Sequence, residues 1–199
     1  MNLTGLQLVG PLSPFIANLT FLRVIDLSHN KLHGQIPREL GCLFRLQSIN
    51  VSNNSVGGKI PANLTRCWRL KTINLSYNEL RGKIHVELGS LSRLSTLNLR
   101  TNNLTGRIPA SFGNLSSLTH FSVAGNELEG NIPEDLGQIR NLFLFNIGEN
   151  NLSGTIPPTL YNLSSMARIS LTQNQLSGSL PPDLGVTLSN LIEFHAGGN

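Results

Sequence analysis

Asparagine recurs at Asn30, Asn54, Asn78, Asn102, Asn126, Asn150 and Asn174, each 24 residues after the last, and Asn199 follows after 25. Around each lies one frame, L-x-x-L-x-L-x-x-N-x-L-x-G-x-I-P-x-x-L-G. A 24-residue unit cannot bury its own apolar side chains. Units that repeat in register must therefore stack on their neighbours and share one continuous core. This rules out an ordinary globule and places any function on a surface built by repetition.

One unit shows the physics. In Leu97-Asn98-Leu99 apolar and polar residues alternate, which predicts a short strand with Leu97 and Leu99 inward and Thr96, Asn98 and Arg100 outward. Stacked units align these strands into a parallel sheet. The asparagine amide both donates and accepts, so a ladder of them is suited to satisfying backbone groups where the chain turns inward after each strand. Gly34, Gly58, Gly82, Gly106, Gly130, Gly154 and Gly178 read as tight turns or close backbone approaches. The prolines that follow (Pro37, Pro61, Pro109, Pro133, Pro157, Pro181) fix φ, remove a donor and disfavour helix; His85 stands in their place once.

The unbroken register argues for a single domain over 1–199, with a partial unit at 1–18, seven full units at 19–187 and a partial unit at 188–199. Charged residues make up 13% and hydrophobic ones 39%, with polar uncharged residues filling much of the rest. The net charge of +4 is spread out: Lys59, Lys83 and Arg107 follow turn glycines along one flank, and no aromatic platform is evident beside the basic residues, so nucleic acid is not expected as a partner. Cys67 occupies a position that Leu43 and Leu91 fill elsewhere, which reads as packing; its pairing with Cys42 stays open. The N-terminal residues do not read as a secretory signal, and no stretch is apolar for the length of a bilayer crossing. Both ends fall within a unit without a cap, the mark of a fragment or a truncated product. His29, His33, His85, His120 and His195 show no metal-ligand spacing, and there is no nucleophile elbow or phosphate loop; neither catalysis nor a cofactor is expected.

Leu-x-Gly-x-Ile-Pro after the asparagine resembles the plant-type leucine-rich repeat of receptor-like kinase ectodomains. Leu180-Pro181-Pro182-Asp183-Leu184-Gly185-Val186-Thr187-Leu188, with its extra residue, and Asn18-Leu19-Thr20-Phe21-Leu22-Arg23 are similar to the subfamily of immune receptors that sense bacterial proteins. The resemblance implies a leucine-rich-repeat solenoid of the α/β-type repeat class. It is a right-handed coil of about eight units with a parallel β-sheet on its concave face and, here, no intact caps. It also implies an extracellular segment of a membrane receptor whose kinase and membrane helix lie in other parts of the protein, a peptide or protein ligand, and a co-receptor kinase as possible partner. Two alternatives share the motif: a repeat protein that inhibits a cell-wall-degrading enzyme, and a truncated receptor copy without activity.

Sequons fall at Asn2, Asn18, Asn50, Asn53, Asn63, Asn74, Asn103, Asn114, Asn151 and Asn162. Asn18, Asn63, Asn103, Asn114, Asn151 and Asn162 are the expected glycan sites; Asn50 and Asn74 lie on the strand face, where a sugar would block binding. The outward strand positions form columns such as Val24, Ser48, Thr72, Thr96, His120, Leu144, Arg168 and Glu193. In the N-terminal units the columns hold mostly small polar residues; further on they diversify. Tyr77, Arg100, His120, Leu144, Glu149, Arg168, Gln173 and His195 are the expected ligand contacts, with Arg100 and Arg168 for acidic groups and Leu144 as an apolar anchor.

Overall fold

The computed structural model describes residues 1–199 and contains two parallel sheets of eight strands each. The first, on the concave face, comprises Val24–Asp26, Ser48–Asn50, Thr72–Asn74, Thr96–Asn98, His120–Ser122, Leu144–Asn146, Arg168–Ser170 and Glu193–His195. Register is strict at the repeat period: Ile49 pairs with Ile73, Ile73 with Leu97, and Leu97 with Phe121. Inward side chains from every coil join one apolar core that runs the length of the solenoid. Phe112, Phe121 and Phe145 form an aromatic run inside it, the first pair edge-to-face at 5.9 Å and the second stacked at 5.8 Å.

The second sheet comprises Val9–Pro11, Lys31–Gln35, Ser55–Gly58, Glu79–Lys83, Asn103–Gly106, Glu127–Asn131, Asn151–Thr155 and Gln175–Ser177. The glycines and prolines of this stretch predict a turn, whereas the structure forms a strand. A segment such as Lys31-Leu-His-Gly-Gln carries one inward apolar residue and an internal glycine, so it lacks the alternation that marks a strand. Its glycines are nevertheless required. Gly58 has φ +75°, and a Cβ there would lie 2.8 Å from Gln35 Cγ in the preceding coil. The Lys59, Lys83 and Arg107 stems pack over Gly82, Gly106 and Gly130 of the next coil, so this basic stripe is a cover for the second sheet.

After each proline comes a single 3-10 turn, as at Arg38–Cys42, Ala110–Asn114 and Glu134–Gln138. The prolines do not keep helix away; they cap it. Pro37, Pro61, Pro109, Pro133 and Pro157 sit at the N-cap with φ between −59° and −68°, where a missing N–H costs little. His85 adopts the same backbone, φ −71° and ψ 131°. In the longer last unit the extra residue allows an α-turn, Leu184–Thr187, closed by Leu188 N–H donating to Leu184 O at 3.0 Å. Cys42 and Cys67 are free thiols. Cys67 is buried, its Sγ donates to Leu40 O at 3.2 Å, and desolvation pushes its pKa up to about 11.

Candidate functional site

Two sets of side-chain hydrogen bonds tie the coils together along the concave face. The first is made by the recurrent asparagines. Asn102 Nδ2 donates to Leu75 O and Leu99 O, both at 3.0 Å, while its Oδ1 accepts from Leu80 N–H at 3.0 Å. Asn54, Asn78, Asn126, Asn150 and Asn174 repeat these contacts, and Asn30 accepts from Leu8 N–H. Each amide thus ties one coil to the preceding one. The second set lies on the surface of the sheet. Asn50 and Asn74 accept from the N–H and hydroxyl of Ser52 and Ser76, and Asp26 does the same with Ser28. Ser28, Ser52 and Ser76 are buried by this, although the strand alternation predicts them outward.

Asp26 shows the balance of forces at this surface. Partial desolvation raises its pKa, but hydrogen bonds from the Ser28 hydroxyl and N–H, Asn50 and Thr4 together prevail and leave it below the usual carboxylate value. Asn50 Nδ2 donates to Asp26 Oδ2 at 3.1 Å.

The residue before each ladder asparagine is left-handed. His29, Asn53, Tyr77, Thr101, Glu149 and Gln173 have φ between 53° and 56°, and Gly125 and Gly198 fill the same place. Tyr77, Glu149 and Gln173, expected as flanking contacts, therefore stand on the turn at the edge of the sheet, exposed and fixed in direction by the backbone.

The expected contacts gather into two groups. Arg100 Cζ lies 5.7 Å from the Tyr77 ring centroid, a cation–π arrangement that holds the guanidinium over the face. His120, Leu144 and Arg168 stand side by side in lateral register, with Glu193 next. The His120 ring lies 5.7 Å from that of Phe143, and its Nδ1 is 2.9 Å from Thr119 Oγ1. Arg168, the expected partner of an acidic ligand group, has its Nε 3.4 Å from Glu193 Oε1. That pair is exposed and worth about 0–1 kcal/mol, so an incoming carboxylate can compete for the guanidinium. His195, exposed, is in register with Ser170.

One residue in this region was not singled out by sequence. Ser122 replaces the column asparagine between Asn98 and Asn146. It is 8% exposed, and its Oγ is the one buried side-chain oxygen or nitrogen without a hydrogen-bond partner. The break in the column, serine where its neighbours carry asparagine, was the available signal.

No group of three or more His, Cys, Asp or Glu side chains is placed to hold a metal ion, and no helix is long and apolar enough to cross a membrane. The Leucine Rich Repeat family matches residues 21–43, 45–67, 69–91, 93–115, 117–139 and 141–163. The chain is 49% identical over 47 residues to the LRR receptor-like serine/threonine-protein kinase EFR of Arabidopsis thaliana, a match covering 24% of this chain and 5% of that kinase. Its fold superposes on the plant peptide hormone receptor RGFR1 in complex with RGF2 with a TM-score of 0.92 at 35% identity, over 94% of this chain and 30% of that one. The ectodomain of the Arabidopsis thaliana receptor kinase GASSHO1/SCHENGEN3, in complex with CASPARIAN STRIP INTEGRITY FACTOR 2, gives 0.92 at 40% identity, over 96% of this chain and 23% of that one. The chain thus spans under a third of each of these three receptors. Its repeats are similar to those of plant receptor-like kinase ectodomains, and the chain belongs to the leucine-rich-repeat family.

Proposed function

We propose that this chain is an extracellular ligand-recognition segment of a plant receptor-like kinase and that it binds a peptide or protein on its concave face. The observation that carries the reading is the change in that face around Ser122. On a sheet otherwise lined by small, mutually bonded polar groups, cationic, aromatic, imidazole and aliphatic side chains surround one unpartnered hydroxyl. Arg100 and Arg168 then receive acidic groups, Leu144 an apolar side chain, and Tyr77, Glu149, Gln173 and His195 border the track. With strands about 4.8 Å apart, eight coils present about 40 Å of rigid surface, which suits an extended peptide better than a compact small molecule.

The peptide hormone receptor RGFR1, in complex with RGF2, and the GASSHO1/SCHENGEN3 ectodomain, in complex with CASPARIAN STRIP INTEGRITY FACTOR 2, share this fold, which supports the reading. Signalling belongs to a kinase elsewhere in the parent protein and to a co-receptor; this chain contributes recognition alone. The test is a screen of the purified chain against a peptide library by biolayer interferometry, followed by the Arg100→Ala/Arg168→Ala double variant. The variant lowers affinity for the selected peptide at least tenfold while its melting temperature holds. Unaltered affinity would remove the patch from the binding site.

A further inference from the structure

A second surface lies outside the concave face, on the flank just before the concave strands. By spacing alone the cationic residues are dispersed, with no aromatic platform evident beside them. The fold corrects this, because consecutive coils bring Arg23, Phe44, Arg45, Trp68 and Arg69 around one shallow depression of about 440 Å³. The Arg69 and Arg93 guanidiniums lie over the Trp68 ring, 4.7 and 4.9 Å from its centroid. Phe44 and Trp68 are about half exposed, although nothing in the coil geometry requires large apolar side chains there.

Three observations define what this surface fits. The first is charge: no Asp or Glu occurs between Glu39 and Glu79, or between Glu87 and Glu127, and none of these four arginines is in an ion pair. The second is the use made of Trp68. A nucleic-acid base or a sugar ring would stack on the indole face, but guanidinium already covers it. Cation–π contact there holds the arginines with their N–H groups free for bidentate carboxylate recognition. The third is composition. Arginine, tryptophan and phenylalanine without acidic residues is the make-up of a protein interface core, and Trp and Arg dominate its binding energy.

We infer that this flank docks a partner protein through a segment mixing acidic and apolar side chains, independently of the concave ligand face. Carboxylates of the segment pair with Arg45, Arg69 and Arg93, and its apolar side chains cover Phe44.

The experiment titrates the chain with fluorescently labelled dodecapeptides of Glu mixed with Leu and Phe, and with matched peptides carrying Gln for Glu. An oligogalacturonate and a dodecamer of deoxythymidylate serve as competing polyanions. Trp68 is the sole tryptophan, so its emission reports on the patch directly. Glutamate peptides are expected to saturate and to shift that emission, and their glutamine counterparts to bind at least tenfold more weakly. The Arg45→Gln/Arg69→Gln/Arg93→Gln variant is expected to lose at least tenfold in affinity at an unchanged melting temperature, whereas Arg100→Ala/Arg168→Ala leaves binding intact. Equal or tighter binding of either polyanion overturns the assignment in favour of a general polyanion surface. No discrimination between glutamate and glutamine peptides, or full affinity in the triple variant, overturns it outright.

Discussion

At the scale of the residue, the concave face rests on single polar side chains that each satisfy several backbone groups. Replacing Asn102 by Leu leaves Leu80 N–H without its acceptor in a buried setting, and the carbonyls of Leu75 and Leu99 each lose one of two amide donors, keeping Asn78 Nδ2 and Asn126 Nδ2 respectively. The expected loss is about 1–3 kcal/mol, read from urea denaturation of Asn102→Leu; an unchanged midpoint would show that the ladder carries no stability. Asp26 gives a prediction in pH. Its folded pKa is lower than its unfolded one, so its contribution is present above the unfolded value and is lost as pH falls through the folded value. Melting temperatures followed from pH 6 to pH 2 should fall more steeply for the wild type than for Asp26→Asn below about pH 4, the unfolded aspartate range. Parallel profiles would mean that Ser28 and Asn50 do not stabilise the charge. The ladder role of asparagine is legible in sequence, since only an amide offers donor and acceptor together. The left-handed backbone before it is not: His29, Tyr77, Thr101 and Glu149 share no chemistry that announces φ near 55°.

At the scale of the element, spacing between coils is set where the 3-10 turns pack. A Cβ on Gly113 would lie 2.4 Å from Asp135 O, and Gly41 and Gly89 face Asn63 O and Ser111 O at the same distance. These obstacles are backbone and cannot rotate away. Gly113→Ala therefore forces adjacent coils apart, and a loss of about 1–3 kcal/mol is expected; calorimetry showing a melting temperature equal to the wild type would refute the steric account. The first sheet is readable from alternation, whereas the second comes from stacking. Its strands pair because the coil period brings each glycine-bearing segment beside the last, and backbone pairing needs no side-chain pattern.

At the scale of the whole molecule, the proposed concave ligand face and the proposed flank docking surface require that glycans lie elsewhere on the solenoid. Asn18, Asn114 and Asn162 are exposed at the ends of 3-10 turns, and Asn103 and Asn151 are exposed at the starts of second-sheet strands. Asn63 is half-buried. Asn50 and Asn74 are half-buried and hydrogen-bonded to their neighbouring serines. Mass spectrometry of the chain secreted from a plant host should find glycans at Asn18, Asn114 and Asn162 and none at Asn50 or Asn74. Occupancy concentrated on the latter pair would place sugar on the binding track and count against the concave face as the ligand site.

The sequence by itself determined the period, the concave strands, the inward leucines and the asparagine ladder, because each follows from a pattern contained in one unit and repeated. Only the tertiary structure decided the second sheet, the ion pair that occupies Arg168, the orphaned hydroxyl of Ser122 and the gathering of Arg23, Arg45, Arg69 and Arg93 around Phe44 and Trp68. Those features join residues from different coils at different positions of the unit. Their distances depend on how coils stack and which way side chains lean, quantities that no single unit encodes.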